Sequence, residues 1–258
     1  MFKQLREVFT YKEMLISSVK KDLRSRYRGS FLGFLWTFIN PLMQLIIYSI
    51  VFPFLLRMQE PNYPMFVFVG LLPWIYFTSS IQMATTCIVG NSNLVKKIYF
   101  PRMILPISVS TTGLMNYIFG LVIVFPALFI SGIKPTPYIL LLPVVMLVNY
   151  LFTTGICMML SAMYVFFRDL EHIISIITMA WFYLTPIVFG LNIFPDWVQK
   201  ILRFNPMTQF VMAYRNVLMY GQPPSPRGFI CVTILSVAVF FLGAKIFSKL
   251  QRTFAEEL

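Results

Sequence analysis

The sequence predicts an all-α integral membrane protein with six transmembrane helices, on three observations. Apolar residues make up 58% of the 258-residue chain and charged residues only 12%, against about 45–50% and about 25% in soluble domains. The apolar residues arrive in uncharged blocks close to the roughly 20 residues that span a hydrocarbon core. The cations fall between those blocks. The formal net charge of +12 therefore reads as the positive-inside pattern of a membrane protein and not as a nucleic-acid patch.

The first thirty residues are polar and charged, so no cleavable signal peptide is expected and the first span must direct insertion. Leu5, Val8, Phe9, Leu15, Ile16, Val19 and Leu23 fall within one arc of a helical wheel, whereas Lys20, Lys21, Arg24 and Arg28 gather on another face. That pattern predicts a basic amphipathic helix over residues 1–33, lying in the cytoplasmic interface. Thr10 and Glu13 stand at capping-box spacing, which predicts a bend or a fresh helix start near Thr10. Gly29 and Gly33 loosen the turn into the membrane domain, residues 34–258, and Pro41 would kink its first span.

Uncharged stretches run approximately over residues 34–56, 66–90, 104–130, 139–167, 173–190 and 229–244. Each is long enough to span as a helix, and helix is the only choice for a single segment that must satisfy its own backbone in lipid. Between the last two spans, residues 191–227 carry Pro195, Pro206, Pro223, Pro224 and Pro226 but keep short apolar runs. Two short re-entrant helices in the outer leaflet fit this pattern. Broken backbone at that depth is tolerated only where protein or water covers it.

Orientation follows from the cations. Those before residue 30, Lys96, Lys97, Arg102, Arg168, Lys245, Lys249 and Arg252 fall on one side. Arg57, Lys134, Lys200, Arg203, Arg215 and Arg227 fall on the other. The richer side is cytoplasmic, which places both termini there.

Several functions are argued against by what the spans hold. Cys87, Cys157 and Cys231 are scattered singly and have neither disulfide nor ligand spacing. The six spans contain no Asp, Glu, Lys, Arg or His, which argues against a proton- or sodium-coupled carrier. No G-x-x-x-x-G-K-[ST] loop is present, so energy for any work must come from another chain. His172, beside Arg168, Asp169 and Glu171, reads as a helix-start residue, and Glu60 and Asp196 are isolated. No catalytic, cofactor-binding or metal-ligating set is expected.

Aromatics reach 17%, and Trp36, Trp74, Tyr76, Phe77, Trp181, Phe182 and Tyr183 fall at or near span positions. Such rings can belt the membrane interface or pack between helices. For any single ring that is the favoured reading; as a set the same rings could line a path for sugars, whose apolar ring faces pack on aromatic faces.

Four segments carry a family resemblance: KDLRSRYRGSFLGFLWTFINPL (21–42), VGLLPWIYF (69–77), NSNLVKKIYFPRMILP (91–106), and FFRDLEHI (166–173) taken with FNPMTQFVMAYRNVLMYG (204–221). In this order, with six spans, the chain resembles the membrane subunits of ABC transporters that export bacterial cell-surface polysaccharides such as O-antigen, capsule and wall teichoic acid. The resemblance implies a homodimer bound to two copies of a separate ATP-binding subunit, with ATP and Mg held there and no cofactor in this chain. It assigns ATPase coupling to Asn91, Leu94, Lys96, Lys97, Tyr99, Phe100, Pro101 and Arg102, within a coupling helix over about residues 91–102 that Pro101 would end. It also implies a polymer carried on undecaprenyl diphosphate, recruited by Lys20, Lys21, Arg24 and Arg28, and a conduit or gate drawn from Gly33, Trp36, Trp74, Tyr76, Phe77, Trp181 and Tyr183. Simple anchoring to anionic membrane lipids is the alternative role for the four cations. A bacterial plasma-membrane location follows. The rivals are an ABC permease for a lipid or drug and a self-contained channel or secondary carrier, the latter disfavoured by the uncharged spans.

Overall fold

The computed structural model describes residues 2–25, 32–56 and 62–258; Arg28, Gly29, Arg57 and Glu60 lie outside them. Every regular element among the described residues is helical. Helices α1 (Phe2–Thr10) and α2 (Lys12–Ser25) form the amino-terminal region. The expected break near Thr10 is present, but not through a capping box. The Thr10 hydroxyl donates back to the Arg6 carbonyl at 3.4 Å, and α2 starts from the Tyr11 carbonyl, which accepts from the amides of Met14 and Leu15 at 3.0 and 3.1 Å. Helix α2 packs along α6 (Ile104–Ile130). The apolar face is thus divided: Val8, Met14 and Leu15 join the core, whereas Phe9 and Ile16 remain exposed.

A 3-10 turn over Gly33–Leu35 leads into α3 (Trp36–Leu56). Gly33 takes φ +48°, a left-handed conformation that glycine adopts without a Cβ penalty. Helix α3 continues through Pro41. Next come α4 (Tyr63–Gly90) and the six-residue α5 (Ser92–Lys97), and α6 is followed by α7 (Leu142–Tyr164). Pro101 does not end the expected coupling helix: α5 stops at Lys97 and Ile98 is already extended. Pro101 instead opens the turn into α6, where its carbonyl accepts from the Ile104 amide at 2.9 Å.

Helix α8 (Leu170–Tyr183) is 14 residues long, about 21 Å at 1.5 Å per residue, and ends seven residues before the expected limit at Gly190. Pro186 supplies the reason, because it has no N–H for the Phe182 carbonyl and its ring crowds the preceding turn. Residues 191–227 do form two short helices, α9 (Asp196–Phe204) and α10 (Pro206–Arg215), the second prolonged by a π-helical turn over Asn216–Tyr220. The chain closes with α11 (Pro226–Leu250) and a one-turn α12 (Phe254–Glu257).

Among the described residues, four helical stretches are long and apolar enough to cross a membrane: Tyr63–Gly90, Ile104–Ile130, Pro137–Tyr164 and Pro226–Thr253. Helix α4 is the central one, packed by α3, α6, α7, α8 and α10. Helices α7 and α11 form the most extensively packed pair. At their crossing a Cβ on Gly243 would run into the Gly155 carbonyl, and one on Gly155 would come within 2.7 Å of the Phe240 backbone. Small residues let helix backbones meet this way where lipid offers no hydrophobic drive to association.

Candidate functional site

The residues assigned to coupling form a short cationic projection with a buried root. Val95 and Phe100 are buried in the core, whereas Lys96, Lys97, Ile98 and Tyr99 stand exposed, Tyr99 at 87%. Leu94 packs partly against the core. The Asn91 side-chain amide donates to the Cys87 carbonyl at 2.8 Å, tying the loop to the end of α4. Arg102 donates to the Gln251 carbonyl at 2.7 Å and lies 5.9 Å from the Phe254 ring centroid, which ties the loop to the carboxy-terminal segment. A cleft of about 290 Å³ runs beside it, lined by Tyr99, Pro101 and Arg102 together with Glu7 of α1 and Arg252. Fixed at both ends with an exposed cationic tip, such a loop can pass a push to α4 and α6.

Lys20, Lys21 and Arg24 are exposed on α2, available to anionic groups. The aromatic candidates separate into three environments. Trp74, Phe77 and Trp181 pack on one another inside the bundle: the Phe77 and Trp181 centroids are 5.2 Å apart, those of Trp74 and Trp181 6.4 Å. Phe152 and Phe210 extend the cluster through Phe77. Tyr183 is exposed, and nothing lies within 4 Å of a Cβ built on Gly33.

Trp36 and Tyr76 instead line a cavity of about 380 Å³ between α3, α4 and α6. Thr37, Asn40, Pro41 and Gln44 reach it from α3, Ser79 from α4, and Asn116 and Tyr117 from α6. The Thr37 hydroxyl and both polar atoms of the Asn116 amide are buried without a hydrogen-bond partner.

Two further polar nodes, both within the quoted segment 204–221, are given no role by the sequence reading. Arg215, which cation counting assigns only to the non-cytoplasmic side, is 4% exposed and donates to the carbonyls of Phe66, Pro186 and Ile187 at 3.1, 2.7 and 2.6 Å. Asn205 caps α10 through the Met207 amide at 2.9 Å, accepts from the Trp181 indole at 2.8 Å and donates to the Leu184 carbonyl at 2.9 Å. The Asn-Pro pair at 205–206 is a helix-start signature that could have flagged this second node.

Four helical stretches long and apolar enough to cross a membrane, among the described residues, define a multi-pass membrane protein with an exposed cationic segment rooted in its bundle. Residues 14–219 match the ABC-2 type transporter family, and the chain belongs to that family. It is 36% identical to the O-antigen export system permease protein RfbA of Myxococcus xanthus, with the whole of both chains covered. A relative of the same name from Klebsiella pneumoniae is 32% identical over 95% of each chain. The polysialic acid transport protein KpsM of Escherichia coli is 21% identical over 88% of this chain and 89% of its own. The resemblance carried by the four sequence segments is borne out.

Proposed function

We propose that this chain is the membrane subunit of an ATP-driven exporter that moves a lipid-linked, O-antigen-like polysaccharide out of the cytoplasm. The observation that carries this reading is the full-length similarity to O-antigen export permeases. Two copies of the chain would engage two ATP-binding subunits, in which ATP and Mg reside. Helices α3 and α8 are read as the first and fifth of six spans, α8 reaching depth together with α9 and α10, and both termini are read as cytoplasmic. The exposed Lys96, Lys97 and Tyr99 would receive the ATPase. The exposed cations Lys20, Lys21 and Arg24, with Arg28, would attract the diphosphate headgroup.

Deleting the gene and examining the cell tests the proposal: surface glycan should be lost while lipid-linked polymer accumulates inside. Unchanged surface glycan, together with a purified complex whose ATPase responds to small amphiphiles and not to lipid-linked glycan, would instead identify a lipid or drug permease.

A further inference from the structure

The start of α11 borders a cavity of about 730 Å³ whose other walls come from the end of α9 and from α10. We infer that it is a binding site for an anionic phospholipid of the surrounding bilayer, with the phosphate held by Arg203 and Arg227. Its place in the fold follows from the far end of the same helix. Gln251, just past α11, holds Arg102 beside the α5 projection, so Pro226 stands at the opposite end of the bundle. The stretch from Pro226 to Thr253 is long and apolar enough to cross a membrane, so the cavity lies where that span meets the bilayer boundary. Its walls are tied together. The Gln209 amide of α10 donates to the Arg203 carbonyl at 2.6 Å, and its oxygen lies so close to Gly228 of α11 that a Cβ there would collide with it.

The chemistry of the walls selects the guest. Arg203 and Arg227 are both exposed, and no acidic side chain lines the cavity, so an incoming phosphate meets two guanidinium groups and no competing carboxylate. Leu235, eight residues further along α11 than Arg227, lies about 12 Å deeper in the span at 1.5 Å per residue. Phe204, Met212 and Cys231 add apolar surface to the same space. Cations at headgroup level above an apolar wall match a phosphate carried on hydrocarbon chains. A free phosphate would leave the apolar wall uncovered, and a neutral chain would leave the cations unused. Ile234 and Leu235 are exposed side by side on the span, so the cavity is open to lipid, and membrane phospholipids fill it by mass action. The volume falls within the roughly 300–1,000 Å³ of sites that hold small organic molecules.

The test uses the full chain reconstituted into vesicles of phosphatidylcholine with a minority of phosphatidylglycerol, one lipid or the other carrying an alkyne tag. A photo-crosslinking amino acid is placed at Phe204, which lines the cavity, and in a second protein at Ile230, which is exposed on α11 and does not line it. Position 204 should capture phosphatidylglycerol in preference to phosphatidylcholine, whereas position 230 should capture both in proportion to their abundance. Arg203→Gln with Arg227→Gln should lower the phosphatidylglycerol capture at 204 by about thirtyfold, at about fivefold for each cation near a membrane surface. Lys134→Gln with Lys200→Gln removes the same charge from exposed side chains outside the cavity and should leave capture unchanged. Arg203→Lys with Arg227→Lys keeps the cations and should retain it, which separates lost charge from lost folding. Equal capture of the two lipids at 204 overturns the proposal, as does loss of capture in the lysine pair or an equal loss in the Lys134 and Lys200 control. An adduct from 204 to a second copy of this chain in place of lipid overturns it too, because the cavity is then a subunit contact. None of these results touches the export reading, which stands or falls on the deletion phenotype.

Discussion

The Arg215 guanidinium carbon lies 3.4 Å from the Phe66 ring centroid while Nε of the same side chain donates to the Phe66 carbonyl at 3.1 Å. One cation thereby fastens α10 to the first turns of α4, and its two remaining nitrogens hold the carbonyls of Pro186 and Ile187, which lie buried just beyond the end of α8. Arg215→Lys should therefore destabilise the protein by about 1.5–3 kcal/mol, because an ammonium cannot present the same planar fork to three carbonyls. Thermal unfolding in detergent measures it. Gly70→Ala should act in the same place, since the added Cβ would sit 2.7 Å from an Arg215 nitrogen.

Asn205 and Trp181 form the second tie between α8 and α10. Asn205→Ala removes the α10 cap and the indole acceptor together and should cost about 1–2 kcal/mol. Because the two residues share a hydrogen bond of 2.8 Å, a double-mutant cycle with Trp181→Phe should show a coupling energy of about 0.5–1.5 kcal/mol. Strict additivity of the two unfolding shifts would contradict the contact.

What could be read from the sequence follows the physics of each feature. Spans centred on α4, α6, α7 and α11 were legible because length and apolarity alone decide them. The extent of α8 was not, since Pro186 ends the helix inside a stretch that still reads as apolar. The burial of Arg215 was not legible, because charge counting assigns a side of the membrane and not an environment, and here three backbone carbonyls and a ring take the place of water. The cationic connection holding Lys96, Lys97 and Tyr99 was legible as a charged break between two apolar stretches, but its anchoring through Arg102 to Gln251 depends on a contact 149 residues away in the chain, which no local pattern encodes.

The α7/α11 crossing gives a sharper packing prediction. Gly243→Ala should destabilise by about 1–3 kcal/mol, because the Gly155 backbone, unlike a flexible side chain, cannot yield to the new methyl. Gly90→Ala is the control. A Cβ there meets nothing within 4 Å, so its unfolding temperature should not fall.

The projection after α4 sets buried and exposed residues side by side within ten positions. Phe100 is buried to 5% exposure, and Phe100→Ala should lower stability by about 3–5 kcal/mol, the usual loss for an emptied aromatic site. Lys96→Glu with Lys97→Glu changes two exposed side chains of α5, and surface changes of this kind ordinarily move stability by no more than about 0.5 kcal/mol. If these lysines receive the ATPase, the double variant should keep its unfolding temperature while export and co-purification with the ATP-binding subunit fall together. Tyr99→Ala should behave in the same way, since its ring contributes little to the fold at its exposure. A charge-reversed loop that still captures the ATPase and exports polymer at the parental rate would move the coupling surface elsewhere, and the neighbouring cleft between Glu7 and Arg252 would be the next place to substitute.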